Sequence, residues 1–168
     1  MRGTPLIARL AFGLSRPKAA VRGLDVAGTV VAVGTDVPFA VGDEVVGELP
    51  SGGGLAAFTV APAARLHRIP QGLDPAIAAA LPLAGGTAWQ ALDLGSVAAG
   101  DRVLVIGASG GVGTFAVQLA TLRGAEVHGL CGQRSRAIVE ALGATRTFDY
   151  RERDAATLPP ASYDVVID

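Results

Sequence analysis

The run Val103-Leu104-Val105-Ile106-Gly107-Ala108-Ser109-Gly110-Gly111-Val112-Gly113 constrains this chain more than any other, because an apolar strand passes straight into closely spaced glycines and then into a helix. A backbone built this way can close around a pyrophosphate. Gly107, Gly110 and Gly113 fit G-x-x-G-x-x-G, where missing Cβ atoms allow a tight turn, a close approach of backbone to ligand and close packing of helix on strand. A helix starting near Gly111 turns its unpaired N–H groups, and roughly half a positive charge, toward bound phosphates.

Four readings compete for this loop. The P-loop fails, because Thr114-Phe115 stands where Lys-Ser/Thr must follow the last glycine. Gly107-Ala108-Ser109-Gly110-Gly111 also satisfies G-x-S-x-G, the elbow that presents a nucleophilic serine. That chemistry needs a downstream acid and histidine. The only later histidine, His128, falls in the next predicted strand, so the hydrolase reading stands only for a longer chain. Gly107, Gly111 and Gly113 match the G-x-x-x-G-x-G spacing of short-chain dehydrogenases, but neither Tyr150 nor Tyr163 has a lysine four residues on. The last reading is that the glycines serve close packing alone.

The flanks decide between them. Thr114 to Arg123 puts Ala116, Leu119 and Ala120 on one helical face with Val112 a turn earlier, and Gly124 ends the helix. Glu126 to Cys131 is predicted as a strand. Ser135 to Leu142 is predicted as a helix with Ile138, Val139 and Leu142 buried and Gly143 ending it, and Thr145 to Phe148 and Asp164 to Ile167 as further strands. Strand, helix, strand, helix, strand is the order a parallel sheet with right-handed crossovers requires, and it favours the nucleotide loop.

Cofactor choice is read at the end of the second strand, roughly 20 residues past the glycines, where an acidic side chain would bond the adenosine ribose of NAD. No acid is there. Cys131-Gly132-Gln133-Arg134-Ser135-Arg136 offers two guanidinium groups and a hydroxyl, which suit the 2′-phosphate of NADPH. Arginines are slightly unfavourable in the first turn of a helix, so a bound anion accounts for Arg134 and Arg136 better than a plain solvated turn does. NADPH is the expected cofactor.

Ahead of the loop stand Gly23-Leu24-Asp25-Val26-Ala27-Gly28-Thr29-Val30, Val41-Gly42-Asp43-Glu44-Val45-Val46-Gly47 and Pro82-Leu83-Ala84-Gly85-Gly86-Thr87-Ala88-Trp89. With the glycine loop these resemble, in order and spacing, the zinc-independent quinone oxidoreductases of the medium-chain dehydrogenase/reductase superfamily. The resemblance covers nearly the whole chain. It implies an α/β architecture: a partial GroES-like β domain over residues 1–84, then the first half of a Rossmann doubly wound parallel sheet over residues 85–168. It also implies Ser109, Gly110, Gly111, Val112 and Gly113 on the pyrophosphate and Thr87 near the nicotinamide. Arg134, Ser135 and Tyr150 would surround the 2′-phosphate, with Gln133 and Arg136 counted in the same cofactor site.

In the superfamily's zinc alcohol dehydrogenases a Gly-His-Glu motif supplies a metal ligand; Gly23-Leu24-Asp25 stands here, and leucine binds no metal. Their structural zinc needs four cysteines, and this chain has one, Cys131. His67 and His128 read as single strand histidines, and Asp25 and Asp43 as structural groups at turns or strand ends. No metal site and no catalytic residue are assigned. Without a Lewis acid, the resemblance points to hydride delivery to an already activated quinone or α,β-unsaturated carbonyl.

Half of the 168 residues are hydrophobic, 17% are charged and the net charge is −1, which makes a core-rich globular chain without the charge imbalance of a nucleic-acid binder. The single cysteine excludes a disulfide framework and fits a reducing, cytoplasmic setting. Pro5, Arg9 and the lack of a sustained apolar run argue against a signal sequence over Met1 to Leu14, and no segment approaches the roughly 20 apolar residues of a membrane span. Asp74-Pro75 opens a short capped helix over Ala76 to Leu81, and Gly52-Gly53-Gly54 is a turn between strands.

A complete doubly wound fold has two βαβαβ halves, and the sequence stops at Asp168 near its fourth parallel strand, while Met1-Arg2-Gly3-Thr4 reads as internal to the substrate domain. The expectation is a part of a reductase, with an exposed sheet edge and unfilled apolar faces that favour a homodimer or aggregation. Its parent would reduce a small-molecule quinone or enone with NADPH. The alternatives are a non-catalytic nucleotide-binding or assembly module and, as a lesser one, an enoyl reductase of polyketide or fatty-acid type or an alcohol dehydrogenase-like protein.

Overall fold

The structure, a computed structural model, describes residues 21–152 and 162–168. The expectations for Met1 to Leu14 lie outside the described residues. The chain divides into two compact units, one ending at Leu83 and one beginning at Ala84.

In the first unit β1 (Asp25–Thr29), β2 (Glu44–Glu48) and β3 (Leu66–Arg68) form an antiparallel sheet in that order. The glycine-bearing segments mark where the backbone must turn or crowd. Gly42 sits at φ +98° in the turn entering β2, and a Cβ on Gly47 would collide with the Arg65 carbonyl oxygen. Asp43 closes that turn: its Oδ2 accepts the Ala40 N–H (2.9 Å) and an Nη2–H of Arg68 (2.6 Å). The Ala40 hydrogen bond, reinforced by Arg68, holds the Asp43 carboxyl below its usual range. Asp25 Oδ1 accepts the Leu83 N–H (2.8 Å), so both aspartates are structural, as their positions foretold. The capped helix is α1 (Pro75–Ala78), shorter than expected; Asp74 Oδ1 accepts the Ala76 N–H at its start (2.7 Å). Gly52 to Gly54 lie between β2 and β3, as predicted.

The second unit carries a parallel sheet of β4 (Arg102–Ile106), β5 (Glu126–Cys131), β6 (Arg146–Asp149) and β7 (Val165–Ile167), ordered β6-β5-β4-β7. Its helices are α2 (Pro82–Leu94), which the sequence showed only as a motif and which starts at the end of the first unit, α3 (Gly111–Leu122) and α4 (Arg136–Ala141). The chain steps from β4 outward through β5 to β6 and then crosses to β7 on the other side of β4. The carboxyl end of β4 is therefore a topological switch point, where such sheets bind ligands.

Near-continuous apolar strands are what a sheet covered on both faces requires. Val103 and Val105 of β4 and Val127 of β5 pack with Ala88 and Leu92 of α2, Ala116, Val117 and Ala120 of α3 and Val139 of α4. Two details of the predicted core change. Val117 joins the buried face of α3 while Leu119 is half-buried, and Ile138 of α4 is exposed, because only Val139 of that helix turns fully inward. Leu142 is half-buried beside it. Gly124 (φ +83°) and Gly143 (φ +117°) end their helices in the left-handed conformation, as expected of C′ glycines.

Candidate functional site

The carboxyl ends of β4, β5 and β6 are neighbours in the sheet, and most of the predicted site residues gather along that edge in two places.

The first follows β4. Gly107 takes φ +65°, its carbonyl accepts the Gly110 N–H (2.8 Å), and the Ala108 N–H donates to the Leu130 carbonyl (3.0 Å), tying the loop to the end of β5. Helix α3 begins at Gly111 with Gly110 as N-cap and without a capping side chain, so among the described residues no side chain caps the N–H groups of its first turn. A Cβ on Gly113 would collide with the Gly107 carbonyl oxygen and lie 2.9 Å from Ala108 Cα. Packing alone thus demands Gly113, and the turn demands Gly107. Neither accounts for Gly111, where a Cβ would meet nothing within 4 Å. That open space beside uncapped N–H groups is what a phosphate needs.

The second place joins the ends of β5 and β6. After Gly132, residues Gln133–Ser135 form a 3₁₀ turn that leads into α4. Beyond β6, the Tyr150 N–H donates to the Cys131 carbonyl (3.3 Å), and the Tyr150 ring lies over Gly132, where a Cβ would come within 3.3 Å of Cε1. Asp149, buried, accepts the Arg151 N–H on Oδ1 (2.9 Å), and the Arg151 guanidinium sits 5.6 Å from the Tyr150 ring centroid. Gly132, Gln133, Arg134, Ser135, Tyr150 and Arg151 line a cavity of about 290 Å³. Two guanidinium groups and two hydroxyls around one small cavity fit a phosphomonoester dianion.

Not every predicted residue arrives there. Arg136 turns away: its Nε–H donates to Thr147 Oγ1 (2.8 Å) and an Nη2–H to the Thr147 carbonyl (3.2 Å), while the Thr147 hydroxyl donates to Glu140 Oε1 (2.6 Å). The buried Thr147 needs those partners, so Arg136 ties α4 to β6 and does not line the cavity. Arg151, which the sequence reading passed over, lines it instead. Its signal was its place directly after the Asp149-Tyr150 pair. Thr87 lies on α2 and is not among the cavity's lining residues.

The two histidines and the cysteine sit in different surroundings. His128 is buried in β5 with Nδ1 2.8 Å from Tyr163 Oη and Nε2 3.1 Å from Glu126 Oε1; His67 is exposed in β3. Burial pushes the Cys131 thiol above its ordinary range. Among the described residues no group of three His, Cys, Asp or Glu side chains is placed to hold a metal ion, and no helix is long and apolar enough to cross a membrane.

Comparison with known proteins agrees with this architecture. Residues 6–71 match the alcohol dehydrogenase GroES-like domain. A chloroplast envelope quinone oxidoreductase homolog of Arabidopsis thaliana is 43% identical over 166 residues, covering 92% of this chain and 50% of the relative. A human mitochondrial NAD(P)H oxidoreductase is 37% identical over 158 residues, covering 87% of this chain and 39% of the relative. The chain therefore spans half or less of the length of these curated relatives. Among solved structures, the quinone oxidoreductase from Coxiella burnetii superposes with a TM-score of 0.86 at 34% identity, over 99% of this chain and 53% of that one. CurK enoyl reductase superposes with a TM-score of 0.77 at 31% identity, over 86% of this chain and 44% of that one.

Proposed function

The chain belongs to the quinone oxidoreductases of the medium-chain dehydrogenase/reductase superfamily, and on that premise we propose that it is the cofactor-holding part of a zinc-independent, NADPH-dependent reductase of quinones or α,β-unsaturated carbonyls. The observation that carries this reading is the pairing of an uncapped glycine-lined helix start after β4 with a cation-lined cavity after β5 and β6. One favours a pyrophosphate, the other a second phosphate further along the same dinucleotide.

In this reading Ser109, Gly110, Gly111, Val112 and Gly113 hold the pyrophosphate. Gln133, Arg134, Ser135 and Tyr150 hold the adenosine 2′-phosphate, and Thr87 lies toward the nicotinamide. Bound NADPH supplies a hydride to the electron-poor carbon of the acceptor. The chain's own part is to bind and orient: backbone N–H groups neutralise the pyrophosphate, and Gly107 and Gly113 keep the loop against the end of β4. Zinc has no role in the proposal, since Leu24 stands where zinc-binding relatives carry histidine. Protonation of the reduced acceptor falls to solvent or to residues outside this chain. A homodimer in the cytoplasm is the proposed setting.

Titration calorimetry with NADPH and NADH tests the cofactor assignment. NADPH should bind at least tenfold more tightly, a margin of about 1.4 kcal/mol; equal affinities sink it. Consumption of NADPH with 1,4-benzoquinone or 2-hexenal tests the reaction. The likeness to an enoyl reductase favours a second acceptor class, the 2-enoyl thioester, and faster turnover of such a thioester than of benzoquinone would move the assignment there.

A further inference from the structure

We propose that Arg151 is a second cofactor-specificity residue, which with Arg134 grips the 2′-phosphate in the cavity after β5 and β6. The inference rests on the NADPH reading above and adds a residue to it. Arg134 reaches the cavity from the 3₁₀ turn after β5 and Arg151 from the turn after β6, so the two cations come from different strands and both line the same 290 Å³ space.

Three features hold Arg151 in place. The buried Asp149 carboxylate accepts its N–H and thereby fixes the backbone of the turn. The Tyr150 ring, itself positioned by Gly132, lies 5.6 Å from the guanidinium and provides a flat surface for it to stack on. Arg136, the other candidate for the second cation, is occupied by Thr147.

Of the two described carboxylates in this turn, Asp149 is directed at the backbone by its bond to the Arg151 N–H, and Glu152 is not among the residues that line the cavity. Two cations against a dianion complete the charge balance, whereas the 2′-hydroxyl of NADH offers the arginines one neutral acceptor oxygen and no opposite charge. The choice between the two cofactors therefore depends on residues from two separate crossovers.

The test compares Arg134→Ser, Arg151→Ser and the double variant by calorimetric titration with NADPH, NADH, 2′-AMP and 5′-AMP. Arg151→Ser should weaken NADPH and 2′-AMP about tenfold, the worth of one charge-assisted hydrogen-bonded contact. NADH and 5′-AMP should change less than twofold, and Arg151→Lys should restore part of the loss. The double variant should bind NADPH and NADH alike. If Arg134→Ser weakens NADPH while Arg151→Ser does not, the role of Arg151 is overturned and the NADPH reading stands. If the unaltered protein already binds both cofactors equally, the NADPH reading itself fails.

Discussion

After β4 the candidate site is made of backbone, and after β5 and β6 it is made of side chains. The glycine loop is held by its own carbonyls and by the contact of Gly113 with Gly107, so few sequences could form it. The cavity after β5 and β6 depends on which way Arg134, Arg136, Tyr150 and Arg151 turn, and many sequences could form it. At Gly113 the backbone site has no room for a Cβ, whereas a side-chain site tolerates exchange at a graded loss. In the proposed reading, that difference separates a part that supports the fold from a part that selects the cofactor.

Four substitutions or conditions probe this contrast. Gly113→Val should do most damage, because its Cβ meets main-chain atoms that cannot step aside; a loss of about 3 kcal/mol in urea denaturation is expected. A loss below about 1 kcal/mol would show that the loop relaxes and that its backbone is less rigid than the comparison requires. Gly111→Ala should leave stability unchanged or slightly raised, since alanine suits a helix better and has open space there. It should nevertheless weaken NADPH and NADH together by about tenfold, because both carry the pyrophosphate. Undiminished binding of both would remove the loop from the site.

Thr147→Val tests the side-chain end. It removes the hydroxyl that accepts from Arg136 and donates to Glu140, and about 1 kcal/mol should be lost in thermal unfolding. An unchanged midpoint would mean that the tie contributes nothing. The smallest effect concerns Cys131. Burial raises its thiol pKa in the folded state, so the stability from keeping it neutral is complete below the ordinary thiol pKa of about 8.5 and declines as pH rises through the folded value. Between pH 7 and pH 10 the native protein should lose more stability than Cys131→Ala, and parallel curves would show that the thiol is not shielded.

How far the sequence could be read follows the same division. Strand β5 and the start of α3 at Gly111 emerged as expected because apolar run lengths and glycine positions encode them locally. The end of α1, the exposure of Ile138 and the turning away of Arg136 did not. Each depends on what lies across from the residue: Arg136 and Arg134 look equivalent two positions apart, until Thr147 of β6 captures one of them. Arg151 was missed for the converse reason, since its role arises only when the end of β6 is laid beside the end of β5.

The amino acids alone determined the alternation of strand and helix, the glycine turn and the want of a histidine at Leu24, because backbone conformation and ligand chemistry are properties of residues and their immediate neighbours. Only the tertiary structure decided which of three arginines face the cavity. Strand pairing brings together side chains far apart in the chain, and a guanidinium turns to whichever hydrogen-bond acceptor that pairing sets within its reach.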